Sequence, residues 1–331
     1  MHIVRHPAFK WVISGVLLAL MGFQLWSRSG HFQAFKTDWH QLSWYLAIVI
    51  LLMPLNWWLE TLKWHGYLSV HAKVGFGRAF KAVTSGIALS LFTPNRIGEY
   101  GGRILFMPYA IRWPVAISTL MGSVSQNLVA FTAGIIAFGF LFEGLIVLKI
   151  LGILSIFLAT LLYFNMGVVA RLICKIKWHS FFQKLSNQLT LFEDYNPPIL
   201  IRSLVIASFR YMVYCLQFVL LLIAFEPQAS FVHLFLGVSC LYFMHTILPM
   251  PPVADVLART NIALILWSGT GMSELSISLA SFIVWMINLL IPAILGSLAI
   301  GTIDLKKSFN THDAHFSPSY EPVIPDQQIS K

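Results

Sequence analysis

The chain has 331 residues and a formal net charge of +9. It is 57% hydrophobic and 11% charged, with a mean hydropathy of +0.75, whereas a soluble domain carries about 25% charged residues. These values exclude a soluble globular domain. The basic residues are scattered over several loops and form no single patch, which excludes a nucleic-acid surface and suits orientation in a bilayer.

Taken in order, the apolar runs predict an all-α polytopic membrane protein. The first run, Phe9–Trp26, follows Arg5 and Lys10 and lacks a small-residue cleavage site, so it reads as a retained span, not a signal peptide. Leu42–Leu62 is a second span. Ala79–Ile111 is apolar but broken by proline. Pro114–Phe142, Leu145–Asn165 and Ile199–Phe225 are further spans; Phe231–Trp267 is a second proline-broken region, and Glu274–Gly301 is the last span. The tail 302–331 is polar, holds Pro318, Pro322 and Pro325, and is expected to be a disordered cytoplasmic extension of one transmembrane domain, residues 1–301. Cys174, Cys215 and Cys240 show no paired spacing, so neither a disulfide framework nor a zinc site is expected.

The broken regions carry acids and arginines one helical turn apart, Glu99 with Arg103 and Asp255 with Arg259. Such charges are costly within a bilayer and mark candidate sites. Each region is either a kinked full span or a re-entrant hairpin, which gives eight crossings or six. With two hairpins and a cytoplasmic N-terminus, Lys63, Lys73, Arg78, Lys81, Arg112, Arg171, Lys175, Lys177 and Lys184 all fall inside, as the positive-inside rule requires. Each half, about 9–142 and 145–301, then reads span, span, hairpin, span. An odd number of crossings per half inverts one half relative to the other, so the hairpin tips meet near the midplane.

The residue chemistry points to an anion site in the first hairpin. Thr93 can cap a helix with Pro94 at its first position, and Gly98, Gly101 and Gly102 permit close backbone approach. Arg96 adds positive charge at that N-terminus. Glu99 and Arg103, like Asp255 and Arg259, can pair within one helix. Arg210, near the middle of a span beside Tyr211 and Tyr214, needs a partner, for which Glu99 and Asp255 are candidates. Ser123, Ser125, Gln126, Asn127 and Asn288 suit interhelical hydrogen bonds. Glu60 and Lys63 read as residues of a membrane boundary. His245, alone on an apolar run, reads as a hydrogen-bonded core histidine. Basic and aromatic residues in Lys63–Lys81 and Arg171–Lys184 suit an anionic leaflet. No catalytic motif, metal ligand set or cofactor-binding pattern is present in the sequence, so no cofactor is expected and an enzyme is the lesser reading.

The stretch Thr93–Arg103, TPNRIGEYGGR, resembles the lysylphosphatidylglycerol synthase transmembrane region family through Pro94, Gly98, Glu99 and Arg103. The proline-rich turn leading to Arg259 fits as well, and the resemblance extends over roughly residues 10–300. It implies a bacterial inner-membrane protein with a flippase-like domain. Larger members fuse this domain to a cytosolic aminoacyl-transfer domain and move aminoacylated lipid between leaflets; this chain looks like a stand-alone version. Asn95 stands where a glycine is common. The expectation is a lipid translocase that binds an anionic phospholipid or lipid-linked substrate through Arg96, Glu99, Arg103, Arg210, Asp255 and Arg259, with both termini cytoplasmic and a homo-oligomer allowed. The rival readings are a glycosyltransferase-like enzyme of lipid-linked substrates and a non-catalytic membrane partner.

Overall fold

The computed structural model describes residues 39–91, 93, 96–175, 188–247 and 252–301, without the side chains of residues 39, 175, 245, 247 and 252–255. The first expected span, Pro94, Asn95, Lys177, Lys184, Pro249, Pro251, the tail, and the side chains of His245 and Asp255 therefore lie outside the described residues.

The described residues build an all-α protein. Helix α1 spans Trp39–Leu68. It is followed by α2 (Phe76–Ser90), α3 (Gly98–Leu105), α4 (Arg112–Leu141), α5 (Ile146–Phe164) and α6 (Met166–Lys175). The second half holds α7 (Pro197–Phe225), α8 (Phe231–Ile247), α9 (Pro252–Leu266) and α10 (Glu274–Trp285). A π-helical turn, Met286–Leu290, leads from α10 into α11 (Ile291–Gly301). Among the described residues, five helical stretches are long and apolar enough to cross a membrane: His40–Leu68, Tyr109–Leu141, Ile146–Phe164, Pro197–Phe225 and Glu274–Gly301. They match five of the six expected spans. Helix α6 was not expected; it occupies the start of the stretch assigned to the leaflet surface.

Local chemistry explains the helix limits. Asn196 caps α7 by accepting from the Ile199 N–H at 3.2 Å, with prolines filling the first helical positions, where an N–H is dispensable. Pro54 sits inside α1 and removes one helical hydrogen bond. In the preceding turn, Gln217 Nε2 of α7 donates to Val49 O at 2.9 Å, so a neighbouring helix supplies polar contact at the weak point.

Both broken regions fold back on themselves. A Cβ added to Gly102 would lie 2.5 Å from Gly86 Cα, and one added to Gly98 would lie 2.2 Å from Leu89 O. Residue numbers rise along α3 as they fall along α2, so the two helices form an antiparallel hairpin and not one kinked span. In the second region Arg259 lies over Tyr242, and Gly237 abuts Trp267, which is again antiparallel.

The hairpins enter from opposite ends. Helix α2 starts just after α1 ends, and α3 leads directly into α4; α8 and α9 are tied to the other ends of α7 and α10. The halves also exchange matching contacts. Ser85 Oγ of α2 donates to Gly296 O of α11 at 3.4 Å, and Cys240 Sγ of α8 donates to Gly134 O of α4 at 3.8 Å. Each hairpin thus packs on the last span of the other half, at a glycine. Helices α1 and α7, second in their halves, pack against each other antiparallel: Val49 meets Gln217, while Asn56 and Glu60 meet Arg210. Equivalent helices running in opposite directions make this an inverted repeat.

Charge divides between the ends. Lys73, Arg78, Lys81, Arg112, Arg171 and Arg202 lie where α1 ends and α4 and α7 begin. Glu143, Glu226 and Glu274 lie at the other end, beside Lys149. At the basic end Glu193 pairs with Arg171 at 3.2 Å, and Asp194 lies 3.4 Å from His71 Nδ1. His71 packs edge-on against Tyr195, and Tyr195 against Tyr67; the Tyr67 and Tyr163 hydroxyls share a 2.7 Å hydrogen bond. Burial pushes the His71 imidazole below its ordinary 6.5, and Asp194 opposes this only in part. The folded state therefore holds His71 neutral and binds fewer protons than the unfolded state. Stability from this junction is expected to be intact above pH 6.5 and to fall as the pH drops below that value. Protection from hydrogen exchange in residues 190–196, taken relative to the intrinsic rate at each pH, should fall on acidification in the wild type and respond less in His71→Phe. An equal acid response in both proteins rejects this account.

Candidate ion-pair site at the first hairpin

The site begins with a helix that ends later than its hydropathy suggested. Helix α1 continues through Leu68, so Glu60 and Lys63 stand one to two turns inside it and not at a boundary. Glu60 is 5% exposed and Lys63 is 1% exposed. This corrects the boundary reading: the carboxylate is the hub of the buried charges.

Three cations converge on Glu60. Lys63 Nζ lies 2.6 Å from Oε2, Arg210 Nη1 lies 3.3 Å from the same oxygen, and Arg103 Nη2 donates to Oε1 at 2.9 Å. Arg210 also donates from Nε to Asn56 Oδ1 and from Nη1 to Gln126 Oε1, each at 2.9 Å. Lys63 reaches the same Gln126 oxygen at 3.4 Å. Of the carboxylates among the described residues, Glu60 and not the expected Glu99 pairs with Arg210, while the side chain of Asp255, the other expected partner, lies outside them. The reason is that α7 packs along α1, which places Arg210 opposite Asn56 and Glu60. Gln126 serves this cluster directly.

Arg103 connects the hub to the hairpin tip. Its Nη2 is shared between Glu60 and Glu99. The side chain is 1% exposed and lies over the Trp64 ring at 5.2 Å, a cation–π contact. Its Nε and Nη1 donors have no hydrogen-bond partner among the described residues. Buried donors of this kind are costly unless something satisfies them. Glu99 is 13% exposed, and Arg96, 47% exposed, approaches its Oε2 at 3.8 Å. Arg96 has φ +56°, the left-handed region that costs a side-chain-bearing residue on the order of 1–3 kcal/mol. The expected helix N-terminus differs from its sequence reading. Thr93 Oγ1 accepts from Gly98 N at 2.7 Å, so that donor is already occupied, and Glu99 stands in the first turn of α3. Gly98 and Gly102 do permit close approach, but to α2; Gly101 faces open space.

Four of the sequence-predicted residues, Arg96, Glu99, Arg103 and Arg210, thus join one network. Arg259 connects to it through aromatic rings. Arg210 lies over Tyr214 and Arg259 over Tyr242, each at 5.5 Å, and the two tyrosine rings pack edge to face at 5.9 Å. The Asp255 side chain lies outside the described residues, so its pairing with Arg259 is not described. Sequence reasoning missed Glu60 and Lys63. Their signal was the i,i+3 spacing within a helical pattern that runs on to Leu68.

The second half answers this charge with amides. Gln217 on α7 corresponds to Glu60 on α1, and Asn288 in the π turn corresponds to Gln126 on α4. Asn288 Nδ2 donates to Gln217 Oε1 at 2.9 Å. At these matched positions the two halves share a framework but differ in charge. No group of three His, Cys, Asp or Glu residues that could hold a metal ion occurs among the described residues.

A comparison with protein families matches residues 9–296 to the one described as Lysylphosphatidylglycerol synthase TM region. No match was found among curated proteins or among solved structures.

Proposed function

The chain belongs to the lysylphosphatidylglycerol synthase TM region family, and on that premise we propose that it is a lipid translocase whose first hairpin holds an anionic phospholipid head group. The observation that carries this reading is the charge imbalance of the buried network. Among the described residues, Lys63, Arg103 and Arg210 pair with Glu60 and Glu99, a formal surplus of one positive charge. A surplus held off bulk water calls for an anion. A phosphodiester supplies acceptor oxygens for guanidinium donors such as Nε and Nη1 of Arg103. Arg259, beyond the tyrosine pair, is a second cation for the head group as it crosses. The basic end is the cytoplasmic face of a bacterial inner membrane, and both termini lie on that side.

The test is leaflet exchange of fluorescent phosphatidylglycerol in vesicles carrying the purified full chain. Wild type should exceed empty vesicles. Arg210→Ala should lower the rate by about tenfold or more, the loss of one charge-assisted contact. Glu60 retains Lys63 and Arg103 in that variant, so the protein should still fold. Equal exchange in empty, wild-type and variant vesicles rejects the proposal.

A further inference from the structure

We infer that Glu99 is a proton-binding site that couples the uptake of each anionic lipid head group to the uptake of one proton; this rests on the lipid reading above. The geometry sets up a competition. One nitrogen of Arg103, Nη2, serves two carboxylates, Glu60 and Glu99. These two acids differ in access. Glu60 is enclosed by Lys63, Arg103 and Arg210, whereas Glu99 is partly exposed at the hairpin tip beside the exposed Arg96. A head group entering from the tip therefore meets Glu99 before Arg103, and the carboxylate repels it.

Protonation removes that obstacle. A proton from water adds to a Glu99 carboxylate oxygen and forms the neutral acid, and the Arg103–Glu99 ion pair is lost. The released Arg103 nitrogen, together with the unpartnered Nε and Nη1, then donates to the phosphodiester oxygens. The charge balance closes. Lys63, Arg103 and Arg210 against Glu60 and Glu99 sum to one positive charge. One proton raises the sum to two, and one phosphodiester monoanion returns it to one. Binding the anion alone, or the proton alone, changes the charge held within the bilayer; binding both does not.

The groups facing Glu99 allow this exchange. From its own turn and helix these are Arg96, Tyr100 and Arg103. From α1, Glu60 lies across the shared guanidinium with Lys63 behind it, and from α7 Arg210 contributes at longer range. Gly86 of α2 lies against the Glu99 side chain and carries no titratable group. Glu60 keeps two cations when Arg103 turns to the ligand, so the hub stays neutralised.

The experiment measures proton uptake when the full chain, in weakly buffered detergent, binds short-chain phosphatidylglycerol. Wild type should take up one proton per lipid, and its affinity should rise by up to tenfold for each unit of falling pH. Short-chain phosphatidylcholine, which is zwitterionic, should give no uptake. Glu99→Gln should abolish proton uptake; Glu99→Asp, which keeps a titratable group, should retain it. Wild-type binding without proton uptake overturns the coupling and leaves the translocase reading standing, as does unchanged uptake in Glu99→Gln. Absence of phosphatidylglycerol binding at every pH overturns both.

Discussion

Glu60→Gln is expected to destabilise the folded protein by about 3–5 kcal/mol, the range measured when one partner of a buried ion pair is removed. The substitution leaves Lys63, Arg103 and Arg210 around a neutral amide, with Lys63 and Arg103 each 1% exposed. Water cannot replace the lost carboxylate, and each cation carries the others' repulsion. The variant should lose its monodisperse peak in detergent at a temperature well below that of wild type. Lys63→Met, added to Glu60→Gln, removes one uncompensated cation and should recover part of the loss. A single variant as stable as wild type, or a double variant no better than the single, rejects Glu60 as the hub.

Gly102→Ala is the second large effect. Its new Cβ would meet Gly86 Cα and N at 2.5 Å and Ser85 O at 2.6 Å. These are backbone atoms of α2, so no side chain can yield. The hairpin must open, at a cost on the order of 1–3 kcal/mol. Opening also shifts Arg103, the next residue, away from Glu60, so leaflet exchange should fall with stability. Gly101→Ala is the matched control, because nothing lies within 4 Å of its added Cβ. It should gain roughly 0.5–1 kcal/mol from helix propensity and keep exchange. Measuring the thermal midpoint and exchange rate of both variants checks the contrast; similar behaviour of the two excludes the proposed helix contact.

The span pattern was legible because hydrophobic length is a property of local sequence. The opposed hairpins were legible too, since basic loops and proline breaks report orientation and interruption. The site was legible only where a charge stood out from an apolar run, as Arg103 and Arg210 do. Glu60 and Lys63 were misplaced because the end of α1 was set by hydropathy at Leu62, while the helix continues to Leu68. The partner of Arg210 was beyond reach for a different reason: it depends on how α7 lies along α1, which no local pattern encodes. The glycines were read as room for a ligand; in the fold, Gly98 and Gly102 make room for a helix.

The bond from Ser85 to Gly296 joins residues 211 positions apart. At a synthesis rate of roughly 5–20 residues per second, α2 would wait about 10–40 s for the helix that covers it. Throughout that interval Glu99 and Arg103 are already made, and α7, which brings Arg210 to Glu60, is itself incomplete for much of it. In the nascent first half Glu60 and Glu99 already have Lys63 and Arg103 as partners, but the face of α2 that α11 covers is still open. The first hairpin completes its packing only after α11 has left the ribosome. In this molecule, the order of synthesis and the order of packing are not the same.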